Sequence, residues 1–273
     1  MNNIPFDITK EVQAEHFSFQ HYQEKSFCID WTQIDTSVTL EIPANHHVQL
    51  MELGDPKKKA HYVLKENASL SLSIASLEDA MDSERSFQLE EQSRAEVAYA
   101  DFCAGEKKAK LYYALRGKQA YVRSHVASLS AQEDKKEFDV SFDHFIGDTY
   151  AEMQNFGVCE GKSTLTFSGV GFIHHGAKRA ATHQNAKIMV FDPKCRAFAN
   201  PVLKIDENEV EASHAAAVGK VNDEHLFYLT SRGLNEEEAK QLITLGYLKP
   251  IFSYFKDEEM IQKISDSMER RMK

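Results

Sequence analysis

Between residues 27 and 218 apolar and polar side chains alternate in short runs, the period that turns one strand face to a core and the other to water. The first runs are FCIDW (27–31), SVTLEI (37–42), HVQLMEL (47–53), AHYVLK (60–65) and ASLSLSIASL (68–77). SFQLE (86–90), AEVAYADF (95–102), KLYYAL (110–115), AYVRSHVASL (120–129) and EFDVSFDHF (137–145) continue the series. TYAEMQNF (149–156), STLTFSGVGFI (163–173), AKIMVFD (186–192) and VLKIDENEVEAS (202–213) close it. Strand starts fall roughly 10–14 residues apart, with polar turns such as Glu66-Asn67 and Gly105-Glu106-Lys107 between them. Helical patterns do not intervene, so the choice lies among a sandwich, a barrel and a parallel β-helix. Asn-Gly and Asp-Gly hairpin signals are few, which favours the β-helix, whose coils bend from face to face without tight antiparallel turns.

Past residue 218 the period changes from two to 3.6. Asn222 or Asp223 caps a short helix that runs to Arg232, with Leu226, Phe227 and Leu229 on its apolar side and Gly233 as its stop. Asn235 opens a second helix, with Glu236 and Glu237 in the first turn and Glu238 placed for a capping box. Its stripe is Ala239, Leu242, Ile243, Leu245 and Leu248, and Pro250 interrupts it. Met260, Ile261, Ile264 and Met268 mark a final amphipathic helix. Such stripes either pack on the β core or face a partner. The expected organisation is a short N-terminal segment (1–26), a β-helix core (27–218) and a C-terminal helical domain (219–273).

Composition narrows the function. The chain has 273 residues, 42% of them apolar, and carries a net charge of −10. It can bury a sizeable core, and its acidic balance disfavours nucleic acid or an anionic membrane as partner. No apolar run is long enough to span a bilayer. The opening MNNIPFDITKEV lacks the charged and apolar regions of a signal peptide, so the cytoplasm is the expected compartment. Cys28, Cys103, Cys159 and Cys195 form no CxxC pair and fit reduced thiols better than a disulfide framework. The sequon at Asn67 then carries no meaning.

Candidate chemistry is sparse. Gly157 to Thr164 imitates a phosphate loop, but three residues separate Gly157 from Gly161 where four are needed, and a strand follows instead of a helix. Nucleotide binding is rejected. His174, His175 and His183 match no zinc spacing, and a turn or surface role is expected for them. No G-x-S-x-G elbow exists, and Cys195, between Lys194 and Arg196 after Pro193, reads as part of a turn. His214 is different. It precedes Ala215-Ala216-Ala217, small residues that let backbones or subunits approach closely, although a hydrogen-bonded structural histidine fits the same pattern.

THQNAKIMVFD (182–192), ANPVLKIDENEVEASHAAAVGK (199–220) and LFYLTSRGLNEEEAKQLI (226–243) together resemble the SufB/SufD family, the scaffold proteins of the SUF iron–sulfur cluster assembly system. Shared features are the L-x-I strand, the S-H-x-A-x-x-G run, FYL-x-SRG and the E-x-x-A helix, over about a third of the chain. The resemblance implies a right-handed parallel β-helix followed by a small helical domain. It also implies an ABC-type ATPase partner, SufC, docking on residues 222–252, with Leu226, Phe227, Tyr228, Arg232, Leu242 and Ile243 as contact residues. A SufB-type subunit or a second copy would pair through the last strands, 202–218.

His214 would then contribute to a transient iron–sulfur cluster at that interface, as cofactor-site and metal-ligand candidate, with no cluster bound stably and no catalysis by the chain itself. The resemblance is closer to SufD. SufB proteins carry cysteine where this chain has Ala186 and glutamate where it has Ala215, and SufD-type sequences often carry cysteine where it has Ala212. It further implies a short form, lacking most of the family's N-terminal helical region. Two alternatives stand beside it. One is a polysaccharide-acting β-helix enzyme using Asp139, Asp143 and Asp148. The other is a cluster-free homodimer that regulates an ABC-type ATPase.

Overall fold

In a computed structural model, which describes residues 5–13, 16–22 and 25–272, the chain winds into a two-sheeted parallel β-solenoid and then a small helical region. One sheet takes β1 (Phe6–Asp7), β3 (Ser26–Asp30), β5 (His47–Leu53), β7 (Ser69–Ser76), β9 (Arg94–Asp101), β11 (Tyr121–Ser130), β13 (Tyr150–Cys159), β15 (Ala181–Val190) and β17 (Glu211–Lys220). The other takes β2 (His16–Ser18), β4 (Val38–Ile42), β6 (Lys59–Leu64), β8 (Ser83–Leu89), β10 (Glu106–Leu115), β12 (Lys135–His144), β14 (Thr164–Ile173) and β16 (Arg196–Ile205). The coil lengthens along the chain. Gln49 lies 23 residues beyond its ladder partner Ser26, Tyr150 lies 29 beyond Tyr121, and Arg196 lies 32 beyond Thr164.

Two details differ from the sequence pattern. The run 202–213, expected as one strand, is broken: β16 ends at Ile205 and β17 starts at Glu211. Asp206-Glu207-Asn208-Glu209 offers no apolar residue for the core, and its backbone turns the corner, with Arg179 N–H donating to Glu209 O at 2.6 Å. At the other end, β1 and β2 precede residue 27 and add pairing to β3 and β4; residues 1–4, 14, 15, 23 and 24 of the expected segment 1–26 lie outside the described residues.

The scarcity of hairpin signals has a geometric cause. The six turns from the even sheet to the odd sheet between β4 and β15 each bend on one residue in the left-handed region: Asn45, Asn67, Gln92, Gln119, Asp148 and Arg179, all with φ between 55° and 61°. Successive corners are bonded to each other, as in Asn67 Nδ2 to Asn45 Oδ1 at 2.8 Å and the two-pronged Arg179–Asp148 pair at 2.6 and 2.8 Å. One left-handed residue per corner suffices, so paired Asn-Gly dipeptides are not needed.

Inside, the sheets meet along an aromatic column. Tyr62, Phe87, Tyr113 and Phe142 occupy one register position in β6, β8, β10 and β12 and stack with centroids 4.6, 4.6 and 5.1 Å apart. Beside it runs a fully buried ionic chain. Arg85 Nε is 2.8 Å from Glu52, Arg85 Nη1 is 3.0 Å from Asp55, and Lys107 Nζ reaches Asp55 at 2.6 Å and Asp101 at 3.1 Å. Lys136 Nζ then bonds Asp101 at 2.8 Å and the carbonyls of Cys103 and Leu129 at 2.7 Å. Three cations balance three carboxylates, and Tyr62 and Tyr99 donate to Glu52 and Asp55.

Gly157 belongs to this packing. A methyl group there would overlap Leu165 Cδ2 and lie 2.9 Å from Phe167 Cε2. Gly157→Ala is expected to lower stability by about 1–3 kcal/mol through overpacking, read as a drop in the urea midpoint at constant m-value. A shift under about 0.5 kcal/mol would show that the two sheets can part there.

The helical region is α1 (Asp223–Ser231), α2 (Glu236–Leu248), a 3-10 segment (Lys249–Tyr254) and α3 (Glu258–Arg271). Asn222 caps α1 and the Asn235/Glu238 capping box opens α2. The outward positions of the odd sheet become small here: Ala75, Ala98, Ala100 and Ala127 form a seat on which Ile251, Phe252, Phe255, Met260, Ile264 and Met268 pack. The stripe of α3 is therefore core. Ser267 Oγ to Leu77 O at 3.3 Å and Arg271 to Asp134 at 2.5 Å hold it in place. No described helix is long and apolar enough to cross a membrane.

Candidate functional site

Two surfaces stand out from the packed body, and both derive from sequence features singled out above. The first is the open end of the solenoid. β16 pairs only with β14 and β17 only with β15, so each leaves a ten-residue edge of backbone donors and acceptors without a strand partner among the described residues. Register fixes what faces inward on this last coil. His214 lies opposite Gln184, Ala216 opposite Ala186 and Val218 opposite Ile188. Gln184, Ala186 and Ile188 are buried core positions, so His214, Ala216 and Val218 occupy the inward row with no further coil above them. His214 is exposed for that reason and not because it sits on the outer face. On β16 the inward row is Ala197, Ala199, Pro201, Leu203 and Ile205, while Phe198 and Val202 stand outward, 48% and 42% exposed.

The residues beneath this end are unusually polar for an interior. Asn155, Thr182 and Gln184 are buried, and Asn155 Oδ1 and Nδ2, Thr182 Oγ1 and Gln184 Oε1 have no hydrogen-bond partner. Gly169 and Gly171 of β14 make room for them: a methyl at Gly169 would stand 2.9 Å from Gln184 Oε1, and one at Gly171 would stand 2.9 Å from Thr182 Oγ1.

The second surface is the groove between α1 and α2. Helix α1 buries no residue, in contrast to α3. Phe227 is 74% exposed, Tyr228 57% and Leu242 49%, an apolar patch that the chain itself leaves uncovered. A groove of about 310 Å³ is lined by His225, Tyr228, Leu229, Leu242, Ile243 and Gly246. It brings together three of the expected contact residues, Tyr228, Leu242 and Ile243. Arg232 closes α1 and stacks over the Tyr228 ring, its Cζ 5.2 Å from the centroid. Leu226 is half-buried and outside the groove lining, and Phe227 projects beside it. Leu229 is on the apolar side expected for α1, whereas His225 and Gly246 have no place in the sequence reading. Their spacing could have found them, since His225 lies three residues before Tyr228 and Gly246 four after Leu242 on one helical face.

The remaining candidates find local partners. Asp139 reaches Lys108 at 3.5 Å, Asp143 accepts from Tyr112 at 2.7 Å, and Asp148 is held by Arg179. His183 Nδ1 meets Ser213 Oγ at 2.8 Å, and His174 stacks on Phe145 and Phe172 at 4.6 and 3.8 Å. No group of three or more metal-ligating side chains occurs among the described residues, so His214 belongs to none.

With this geometry in view, the comparisons with known proteins are specific. A family model described as SUF system FeS cluster assembly, SufBD core domain, matches residues 47–247. The iron–sulfur cluster assembly protein SufD of Bacillus subtilis (strain 168) is 33% identical over 159 residues, covering 58% of this chain and 36% of that protein. A SufBD family protein of Pyrococcus horikoshii is 43% identical over 75 residues, 28% of this chain and 17% of its own length. SufB of Bacillus subtilis is 26% identical over 163 residues, 58% of this chain and 35% of that protein. The chain thus spans about a third or less of the length of these curated relatives.

Proposed function

The chain belongs to the SufB/SufD family of SUF-system iron–sulfur cluster assembly proteins, nearer to SufD than to SufB, and on that premise we propose that it is a scaffold and adaptor subunit rather than an enzyme. It docks an ABC-type ATPase of the SufC kind through the α1–α2 groove. It pairs through β16 and β17 with a SufB-type subunit or a second copy, presenting His214 to the partner. The observation that carries this reading is the contrast between α3, whose apolar stripe is buried, and α1, which buries no residue and leaves Phe227 and Tyr228 uncovered together with Leu242 of α2. Open edges add strands from another chain, and exposed aromatic and aliphatic anchors supply binding energy to a partner helix or loop.

The cluster is cargo in this reading. Thiolates are its usual ligands, and one histidine cannot hold it, so the partner supplies the remaining ligands and residence is transient. Ala186 and Ala212 flank the His214 position without thiols, which assigns this chain the lesser share of the ligand set.

Joint replacement of Phe227 and Leu242 by aspartate is expected to weaken binding of a SufC-type ATPase at least about 100-fold while leaving the unfolding midpoint unchanged, because neither side chain is buried. Titration calorimetry or co-purification with the ATPase reads the result. Undiminished binding would move the docking site elsewhere. For the strand edges, anaerobic reconstitution of the paired complex with iron and sulfide should give less cluster with His214→Ala than with wild type. Equal cluster content would remove His214 from the ligand set.

A further inference from the structure

Four thiols occur in the chain and none is in a disulfide, but two of them are neighbours. Cys159 ends β13 and is buried. Cys195 sits in the turn that leads into β16 and is half-exposed. Cys159 Sγ lies 3.1 Å from Ser163 Oγ and 3.9 Å from Arg196 O, while Cys195 Sγ lies 3.8 Å from Gly161 O. Both sulfurs thus contact the same corner of the solenoid, where residues 161–163 meet residues 195 and 196. That corner is also tied by Gly161 N to Asp192 Oδ2 at 2.7 Å and Arg196 N to Ser163 O at 2.9 Å.

The pair is chemically unequal. Burial pushes the Cys159 thiol up to about 12, so it stays protonated at neutral pH. Cys195 is half-exposed, so a small oxidant in solution can reach its sulfur, whereas Cys159 is closed off. By contrast, Cys28 and Cys103 have carboxylates near them, Asp7 and Asp30 for the first and Asp101 for the second, and neither has a second thiol in contact.

We propose that Cys159 and Cys195 form a peroxide-responsive dithiol whose oxidation to a disulfide clamps the turn leading into the open edge strand β16. Cys195 thiolate attacks a hydroperoxide, giving the sulfenic acid and releasing hydroxide from hydrogen peroxide. Cys159 then attacks that sulfur: the S–S bond forms, the sulfenic oxygen leaves, and it takes the Cys159 proton to depart as water. Two electrons pass from the two thiols to the peroxide. The product links residues 36 positions apart in sequence, and any thiol reductant reverses it. Since β16 carries one of the two free edges, the bond fixes the entry to the surface offered to a paired subunit. The chemistry itself requires no partner, ATPase or iron.

Treatment of the full chain with hydrogen peroxide, followed by thiol counting under denaturing conditions and peptide mapping, tests the proposal. Free thiols should fall from four to two, with a single link between the peptides carrying Cys159 and Cys195, and dithiothreitol should restore all four. Cys159→Ser should leave Cys195 as a sulfenic acid that dimedone traps, and Cys195→Ser should leave Cys159 unmodified. In the oxidised wild type, amide exchange across residues 192–196 should slow roughly tenfold, a change absent from both serine variants. Four intact thiols after peroxide, a link between two different chains, or peroxide modification of Cys159 in Cys195→Ser would each overturn it. Because no SUF component is in the assay, its outcome is independent of the adaptor reading.

Discussion

Replacing Lys107 with methionine is expected to destabilise the chain by about 3–5 kcal/mol, the cost of leaving a buried carboxylate without its cation. Lys107 is the link between the two halves of the interior ionic chain, bonded to Asp55, Asp101, Ser76 and Tyr99. Its side chain is fully buried, as are those of Asp101 and Arg85. The attraction of Lys107 and Arg85 holds Asp55 well below the usual carboxylate range, and Lys107 with Lys136 also lowers Asp101. Without Lys107, two carboxylates keep two cations, Arg85 and Lys136, but Glu52 also draws on Arg85, and one negative charge is left uncompensated. A typical domain holds only about 5–15 kcal/mol in total, so a large part of the stability would go. Urea unfolding at pH 7 measures it. Adding Asp101→Asn to Lys107→Met restores neutrality and should recover a portion of the loss. A single-variant loss under about 1 kcal/mol would mean that water reaches this interior.

Acidification from pH 7 to pH 5 should cost about 2 kcal/mol at each of two histidines, about 4 kcal/mol together. His125 and His144 are both lowered from 6.5 to about 4, chiefly by burial. His125 lies beneath Tyr254, whose hydroxyl is 3.1 Å from its Nε2, with Glu152 and Arg123 nearby. His144 bonds Thr149 through Nδ1 at 2.8 Å and has His174 beside it. The folded values lie below the unfolded ones, so between pH 6.5 and 4 the unfolded chain binds more protons. Stability is therefore full above pH 6.5 and falls as pH drops toward 4. His125→Gln with His144→Gln should flatten this slope even if both variants are less stable at pH 7. An unchanged slope in the double variant would place the acid sensitivity in other groups.

The solenoid was legible because its signal is local. Alternation in HVQLMEL or STLTFSGVGFI needs only neighbouring residues to be read, and the capping box at Asn235 likewise. The break between β16 and β17 escapes a reading by alternation because Val210 and Ala212 resume the apolar–polar rhythm directly after the four polar residues 206–209. The ionic chain was not legible at all. Arg85, Lys107 and Lys136 read as ordinary polar positions, and what makes them interior is a partner 30 to 52 residues away that only register brings into reach. Similarly, no periodicity separates the stripe of α3 from that of α1. The difference lies in the alanine seat on the odd sheet, which lies under α3 and the 3-10 segment but leaves α1 outside.

The unequal ends of the solenoid set how it can grow. At one end β1 and β2 offer two and three residues of backbone, packed over by a cluster of Phe6, Phe17, Phe19, Tyr22 and Phe27. At the other, β16 and β17 offer ten each. A strand-by-strand union of two such ends would use up both long edges at once, and the coil farthest from the seam in each copy would be the short aromatic-packed one. Assembly of this kind would be self-limiting: it would close a pair through the long edges, and the two- and three-residue edges of β1 and β2 are poor templates for a further strand.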